Sequence, residues 1–502
     1  MRIGLSSTVP LGMRFDSSST RTASSVVCRS VLKEYEIKLR PILKYWNGKE
    51  YVDIQERKVD PIMRLFVDCR IEAHIGVVRL KENVDAEGSL LLTTDSSSQI
   101  HRVHVWDVRP PRNFNASTFK YPLKLGVCLQ PIFLHSDWTL VVQFFEFWLA
   151  SGATKFYIYL HSATRQVRAM LDFYQRKLGP DLEIIEWSDL PVAQMDRGDF
   201  YRDPNTRLFQ VGLYAAINDC LLRSRFHVKF LSMLDLDETL QVSSGKYIVH
   251  ELESLSIQHP NMGTASLQWI YAEQELQNEN NEARYPHELR FNTLGKIRKP
   301  SKDNVHTVYA NFRKLIQRPE RVVLTDIHST LVNELLEEDE RPPESGEMTG
   351  VSRAVSEHDL RTSKYRYEEV RVPSDRLSVI HLRRFNPAFQ GSKRSYSIPK
   401  REFRPFEGTS RAMNANFVAR ISNDIIRDYN TGDWQVALAN TMRTLEECRY
   451  FPFNYKQTIG KGACQAVANC EPLISDLHVF TKAEPIWKDV AHRGKLIEYV
   501  KH

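Results

Sequence analysis

The chain has 502 residues, of which 42% are apolar and 10% aromatic, and its formal net charge is +6. This composition excludes a disordered chain, and 68 basic against 62 acidic residues exclude the strongly basic balance of a nucleic-acid-binding protein. The seven cysteines form no Cys-x-x-Cys pair, which excludes a zinc ribbon and a thioredoxin-type motif.

Residues 1–30 are predicted to be a disordered N-terminus. They lack the apolar core of a secretory signal and the run of about 18 apolar residues that a membrane anchor needs. From the residues alone, a cytosolic location therefore stays open. Residues 31–120 alternate between apolar and polar side chains, which predicts a β-rich N-terminal region.

Strands and helices alternate from residue 121 onward. The run "LGVCLQPIFL" predicts a strand, and "DWTLVVQFFEFWLASG" has the apolar spacing of a helix that ends at glycine. Further strands are predicted over "KFYIYLHS", "LEIIEWSDLP" and "VKFLSMLDLDE", with helices over "TRQVRAMLDFYQRKLG" and "NTRLFQVGLYAAINDCLLRSRF" between them. This order predicts an α/β fold with a mostly parallel, Rossmann-type sheet and helices on both faces.

The later part of the chain is less regular. Strands are predicted over "GTASLQWIYAE" and "RLSVIHLRRF", which extend the α/β domain to residues 121–395. Within it, residues 335–365 are acidic, contain prolines and predict a flexible insertion. Residues 396–502 predict a mixed, partly helical C-terminal extension.

The segment "LSMLDLDETL" places Asp235, Asp237 and Glu238 at the carboxyl end of the fourth predicted strand. Ligands of open α/β sheets bind at this edge. Carboxylates there are hard oxygen ligands suited to Mg²⁺ or Mn²⁺. The structural alternative is an acidic strand end that faces water or caps a helix.

Two chemistries use such a motif. Haloacid-dehalogenase-type phosphatases use the first Asp as a nucleophile, but on their first strand and with a later acidic pair. Here three strand–helix units come first, and the chain contains no Asp-Asp pair. A glycosyltransferase that binds a nucleotide sugar through a divalent cation fits the fourth-strand position better.

The segments "VCLQPIF", "LYAAINDCLLRSRFHVKFLSMLDLDETL", "KLIQRPERV" and "VIHLRRF" resemble glycosyltransferase family 92, which is GT-A-like. The resemblance covers about residues 120 to 390. It implies inverting transfer of a hexose, with galactose from UDP-galactose expected first, to a glycan or glycoprotein acceptor. It also implies association with the Golgi or another secretory-pathway membrane. The nearly balanced charge, by contrast, is what predicts no nucleic-acid partner.

The resemblance also implies roles for site residues. Asp235 would contact the ribose or the metal, Asp237 and His381 would hold Mn²⁺ or Mg²⁺, and Glu238 would orient the aspartates. His328 is a rival to His381 as ligand, and simple acidity at a helix start is the alternative for Glu238. The candidates for binding the nucleotide sugar, some of which a solvated basic face would also explain, are Arg207, Gln210, Lys314, Arg318 and Arg383.

An inverting transfer needs a general base, for which Glu273 and Asp326 are the candidates. The segment "QWIYAEQE" keeps Trp269 but lacks the Gly-Ser that commonly follows in the family. This departure leaves open a catalytically inactive, glycan-binding relative. Cys128 and Cys220 occupy positions where family members carry cysteine, and both a disulfide and two buried thiols stay open.

Overall fold

The structure is a computed structural model. It describes residues 11–13, 22–32, 41–46, 49–54, 59–61, 71–80, 89–94, 100–108, 111, 114, 118–199, 201–244, 247–275, 285–291, 297–300, 313–334, 367–385, 400–403, 406–422, 466–474, 477–490 and 496–499. The predicted insertion at residues 335–365 lies outside these ranges. No helix in the described ranges is long and apolar enough to cross a membrane.

The described strands and helices are numbered in chain order. The helices are α1 Trp138–Ala150, α2 Arg165–Leu178, α3 Leu213–Arg223, α4 Ile248–Gln258 and α5 Glu407–Ser422. The strands are β1 Leu11–Met13, β2 Thr22–Leu32, β3 Pro41–Trp46, β4 Tyr51–Ile54, β5 Val59–Pro61, β6 Ile71–Leu80, β7 Ser89–Thr94, β8 Ile100–Asp107, β9 Leu123–Ile132, β10 Lys155–Leu160, β11 Ser162–Thr164, β12 Leu182–Glu186, β13 Val228–Met233, β14 Glu238–Val242, β15 Met262–Glu275, β16 Ile297–Pro300, β17 Arg313–Gln317, β18 Val322–Thr325, β19 Thr330–Asn333, β20 Glu368–Arg371, β21 Leu377–Phe385, β22 Lys400–Phe403, β23 Phe480–Lys482, β24 Trp487–Asp489 and β25 Leu496–Tyr499.

The central sheet has the strand order β12-β10-β9-β13-β17-β15-β16-β22, with β14, β20 and β21 attached off this path. Strands β12 to β13 run parallel, as predicted from the alternation of strands and helices. Beyond β13 the path continues through antiparallel pairs. The predicted α/β fold is confirmed, although the sheet is more mixed than the prediction of mostly parallel strands.

Helices cover both faces of the parallel strands. The buried residues of α1, α2 and α5 pack in one core with Phe156 and Ile158 of β10, and those of α3 pack on the other face. Helix α1 begins where Asp137 Oδ1 accepts the Leu140 N–H over 3.0 Å. Its phenylalanines are buried, and each contributes about 1.5–3 kcal/mol by leaving water.

Helix α3 is shorter than the predicted helix over residues 205–226. Gln210, Val211 and Gly212 have φ angles of 39°, 50° and 83°, in the left-handed region. These angles break the helix, so residues 204–212 form two short 3-10 turns before α3 begins at Leu213. The predicted helical position of Arg207 and Gln210 is therefore wrong.

Outside the central sheet, residues 31–120 contribute to two further sheets, with orders β24-β25-β8-β7-β3-β4 and β2-β6-β5. Strands β1 and β2 lie largely in residues 1–30, for which the sequence predicts disorder. Strand β2 contains the β-branched pair in "SSVVC" and pairs along β6. The C-terminal extension adds β23 to β11 and β25 to β8, so its described part contains strands as well as α5.

Candidate active site

We call the carboxyl ends of the neighbouring strands β9 and β13 the crevice, because the strand order of the sheet reverses between them. From β9 the chain adds β10 on one side, whereas β13 lies on the other side. Ligands of open α/β sheets bind beyond the carboxyl ends of strands at such a point. Gln130, near the end of β9, donates from Nε2 to Asp235 Oδ1 over 2.5 Å and so joins the two sides of the crevice.

The Asp-x-Asp-Glu motif forms the tight turn between β13 and β14. The Glu238 N–H donates to the Asp235 carbonyl oxygen over 3.1 Å, and the Asp235 N–H donates to Glu238 Oε2 over 2.9 Å. The side chains of Asp235 and Asp237 are 31% and 26% exposed, whereas that of Glu238 is 1% exposed. The two aspartates are therefore accessible at the sheet edge, and Glu238 holds the turn from within.

Strand β21 brings His381 to this turn. Glu238 and His381 are paired across antiparallel strands β14 and β21, and the Leu382 N–H donates to the Asp237 carbonyl oxygen over 2.7 Å. His381 Nε2 lies 2.9 Å from Asp237 Oδ2. Asp237 and His381, predicted to share a metal, are thus adjacent.

Trp269 on β15 supports the same pair from the neighbouring strand. Its indole Nε1 donates to Glu238 Oε1 over 3.0 Å, and the centres of the Trp269 and His381 rings lie 4.4 Å apart. The indole thereby connects Glu238 to His381. The sequence showed that Trp269 matches the family, but it did not reveal this contact.

Lys314 on β17 is buried against the motif. Its Nζ lies 3.1 Å from Asp235 Oδ2 and 3.0 Å from Glu238 Oε2. Burial lowers the pKa of the lysine, but the Asp235 and Glu238 carboxylates outweigh it and raise that pKa above its usual range. Burial, followed by the charge of Asp235, raises the pKa of Glu238 against the opposing charge of Lys314. Lys314 thus offsets part of the negative charge of the motif.

The ammonium group of Lys314 is paired with two carboxylates, and the donor contact predicted for it stays a prediction. Both Asp235 oxygens are also engaged, one by Gln130 and one by Lys314. Within the described ranges, no group of three or more His, Cys, Asp or Glu side chains is arranged to hold a metal ion. Asp237 and His381 therefore remain the predicted ligands that the structure brings together.

Arg318 lies at the other end of the sheet. Strand β17 runs antiparallel to β13, so Leu315 lies beside Met233 and Gln317 beside Leu231, toward the start of β13. Arg318 donates to Tyr121 Oη over 3.0 Å and pairs with Glu320 at 2.8 Å. Antiparallel pairing therefore carries Arg318 away from Asp235, and its predicted role in binding the nucleotide sugar stays a prediction.

Asp326 caps the turn between β18 and β19. Its Oδ1 accepts the N–H groups of His328 and Ser329 over 2.5 and 2.6 Å, and its Oδ2 accepts Ser329 Oγ–H over 2.7 Å. These bonds give the buried carboxylate a structural role, and its predicted use as a general base stays a prediction. His328 Nδ1 lies 2.8 Å from the Arg313 carbonyl oxygen, and burial, then the charge of Lys314, lowers its pKa.

The structure describes fewer contacts for the remaining candidates. Arg207 donates to the Tyr201 carbonyl oxygen over 3.0 Å, and it lies with Gln210 in the turns before the N-terminus of α3. Glu273 on β15 pairs with Arg383 on β21 through the backbone, and both side chains lie outside the described part of the structure. Their predicted roles stay predictions.

Sequence reasoning missed the contribution of Gln130. The available signal was a polar residue near the end of the first apolar strand of the α/β domain, at the edge where Asp235 was also expected. Beside it on β9, Cys128 forms a disulfide with Cys220 of α3, with a Cα–Cα distance of 6.4 Å. This decides between the disulfide and the two thiols that the sequence left open.

The glycosyltransferase family 92 sequence model matches residues 124–429, more than half of the chain. Two curated Caenorhabditis elegans proteins named for this family are similar: one is 23% identical over 46% of this chain and 47% of its own length, the other 26% identical over 29% and 27%. The matches thus span half or less of each relative.

The TarS structure of S. aureus is 12% identical, covers 71% of this chain and 86% of its own, and has a TM-score of 0.25. A likeness at this score supports no conclusion about fold or function.

Proposed function

The chain belongs to glycosyltransferase family 92, and we propose that it transfers a hexose, with galactose expected first, from a UDP-sugar to a glycan or glycoprotein acceptor with inversion. The supporting observation is the turn after β13, where Asp237 is paired with His381 from β21. This turn presents carboxylates beside the crevice where α/β sheets bind nucleotides.

Asp237 and His381 would hold a divalent cation, Mn²⁺ or Mg²⁺. One carboxylate and one imidazole form a donor set that suits Mn²⁺. The side chain of His381 is largely buried, which would limit the exchange of the bound cation with solvent. When bound, the cation would neutralise the donor diphosphate and the charge that develops on the leaving UDP. Two protein ligands leave further positions for diphosphate oxygens and water.

The protein side chains would keep this arrangement rigid. Glu238 holds the turn through the Asp235 N–H, and Trp269 holds Glu238. Preorganised groups stabilise transition-state charge because they need no reorganisation during the reaction. Asp235, at the mouth of the crevice, is proposed to contact the nucleotide. Arg207 and Gln210, in the turns before α3, remain candidates for binding the part of the nucleotide sugar that lies away from Asp235.

Glu273 is the proposed general base. It lies on β15 two residues beyond Tyr271, which pairs with His381 on β21. Two residues along a strand cover about 6.6 Å, so the backbone of Glu273 lies near that of His381. This backbone position supports Glu273 as the base for an acceptor hydroxyl beside the donor. Glu273→Gln would then lower kcat while leaving UDP binding unchanged.

We further propose that the protein works in the secretory pathway, with the membrane association expected for the family. The disulfide between Cys128 and Cys220 supports this location, because disulfides persist in oxidising compartments. Cys470 is also disulfide-bonded. Accordingly, the purified protein should be assayed without reductant.

The test is a calorimetric titration of the protein with UDP and with UDP-galactose, in Mn²⁺ and in EDTA. We expect binding that requires Mn²⁺ and is lost in Asp237→Ala. Asp181→Ala, an exposed aspartate beside the start of β12, is the matched control and should bind like the wild type. No binding by the wild type in any condition would refute the transferase and favour a glycan-binding relative.

A phosphatase is disfavoured by the same site. Its first aspartate must attack phosphorus as a free nucleophile. Asp235, the residue in that position, has one oxygen bonded to Gln130 and the other paired with Lys314. A stable phosphoryl group on Asp235 after incubation with a phosphate ester would reverse this conclusion.

A further inference from the structure

We propose that Lys314 is a positioning residue that divides the Asp-x-Asp-Glu motif into two parts. It holds Asp235 and Glu238 together and offsets part of their negative charge, and it leaves Asp237 with His381 as the pair that receives a divalent cation. Metal binding by the protein alone is then weak and becomes tight when the donor diphosphate supplies further oxygens. This inference rests on the proposed donor site and deepens it.

The three carboxylates of the motif contact different partners. The ammonium group of Lys314 lies 3.1 Å from Asp235 and 3.0 Å from Glu238, and its side chain is 5% exposed. Asp237, two residues after Asp235, instead lies 2.9 Å from His381 on the opposite strand. The turn thus sends adjacent carboxylates to different partners.

Charge explains why a lysine is needed in this position. Asp235 and Glu238 approach the same nitrogen, and Glu238 is almost fully buried. Two carboxylates in one buried site repel each other strongly unless a cation lies between them. A divalent metal ion can supply that charge but exchanges with solvent. Lys314 supplies it permanently, because it is anchored in β17 beside β13.

The fold fixes this lysine in place. Leu315 pairs with Met233 of β13, and Lys314 pairs with Leu267 of β15, so both neighbouring strands hold its backbone. Gln130 holds the second oxygen of Asp235 from the other side of the crevice. Asp235 is therefore fixed on two sides, which makes it a poor candidate for the first metal contact.

The consequence for metal affinity can be measured without any nucleotide. Lys314→Gln keeps a hydrogen-bond donor but removes the charge, and Lys314→Met removes both. Each variant removes the ammonium group from Asp235 Oδ2, so this oxygen can act as a ligand beside Asp237. The positive charge of Lys314 repels a divalent cation, and water screens this repulsion only partly because the site is partly buried. Without that charge, both variants should bind Mn²⁺ at least about tenfold more tightly than the wild type.

The experiment is a titration of Mn²⁺ into nucleotide-free protein, followed by the electron paramagnetic resonance signal of free Mn²⁺. Lys229→Met is the matched control, because Lys229 lies on β13 at the other end of the sheet and pairs with Glu253 at 3.7 Å. The control should retain wild-type affinity. Lys314 variants that fold and bind Mn²⁺ no more tightly than the wild type would overturn the proposal, since a purely structural lysine produces no gain.

Loss of folding in these variants also gives a decisive result. If a metal ion can replace the buried ammonium group, added Mn²⁺ should restore cooperative unfolding and raise the midpoint temperature of Lys314→Gln. Failure of Mn²⁺ to do so would count against the proposal. The titration with UDP tests the proposed function separately. A wild type that does not bind UDP would refute the transferase. A gain of Mn²⁺ affinity in Lys314→Gln would still support the role of the lysine.

Discussion

Asp237 Oδ2 lies 2.9 Å from His381 Nε2, although 144 residues separate these two side chains in the sequence. The contact exists because β21 returns beside β14 and pairs His381 with Glu238. The two side chains form one unit at the crevice.

This pairing predicts the effect of removing the imidazole. His381→Gln keeps a polar side chain but loses the nitrogen ligand, so Mn²⁺-dependent binding of UDP should weaken by about tenfold or more. Calorimetric titration with UDP in Mn²⁺ measures the change. His250→Gln, on the exposed face of α4, is the control and should have no effect. Equal affinity in the wild type and His381→Gln would remove His381 from the proposed ligand set.

Trp269 gives a second prediction, which concerns stability. Trp269→Phe keeps an aromatic ring beside His381 but removes the N–H that donates to Glu238 Oε1. Loss of a hydrogen bond to a charged group should lower the free energy of unfolding by about 1.5–3 kcal/mol.

Urea unfolding measures this loss, and Trp487→Phe provides the comparison. Trp487 Nε1 donates to a neutral acceptor, the Asp189 carbonyl oxygen, over 3.1 Å. Its loss should cost only about 0.5–1.5 kcal/mol. If Trp269→Phe lowers the free energy of unfolding by no more than this, the bond to Glu238 stabilises the protein no more than a bond to a neutral acceptor.

Much of the fold can be predicted from the sequence, because the strands are marked by local signals. Buried parallel strands such as β10 and β13 are short apolar runs, and α2 has apolar residues at helical spacing. The start of α3 is not visible in this way. The helical pattern of the sequence continues through Gln210 and Val211, whose φ angles are positive in the structure.

The contacts within the site are even harder to predict from the sequence than the start of α3. Asp235 and Asp237 are recognisable because carboxylates follow an apolar strand. Lys314 and Arg318 look alike in the sequence, four residues apart in one basic segment. Only the antiparallel pairing of β17 with β13 decides that Lys314 reaches the motif and Arg318 lies at the opposite end. Such pairing is non-local and has no signature within the segment itself.

The disulfide between Cys128 and Cys220 gives a third prediction. It closes a loop with a sequence separation of 92 residues, and it joins β9 to α3 beside the crevice. Cys128→Ala with Cys220→Ala should lower the free energy of unfolding by about 2–5 kcal/mol, because the unfolded chain gains freedom.

The urea dependence separates this effect from a simple packing defect. Without the cross-link the unfolded chain exposes more surface, so the m value should rise as well. Measurement is by urea unfolding without reductant, and Cys128→Ala alone should behave like the double variant. An unchanged m value would mean that only packing was lost.

The C-terminal segment is attached to the sheet edge through Asp189, which follows β12. Asp189 Oδ1 lies 2.9 Å from His161 Nε2, and its Oδ2 lies 2.9 Å from Lys482 Nζ. Burial raises the pKa of Asp189, but the hydrogen bonds and charges of His161 and Lys482 outweigh it, so the pKa is well below its usual range. The ionised carboxylate therefore stabilises the folded protein.

This shift predicts how the stability depends on pH. Because the native pKa is depressed, the contribution of Asp189 is fully present above the unfolded value of about 3.9 and is lost as the pH falls toward the native pKa. Asp189→Asn should therefore destabilise the protein near neutral pH, and its difference from the wild type should shrink below about pH 4. Urea unfolding of both proteins along a descending pH series measures this difference. Asp181→Asn should show none at any pH, and a difference for Asp189→Asn that persists undiminished in acid would show that the carboxylate charge is not its source.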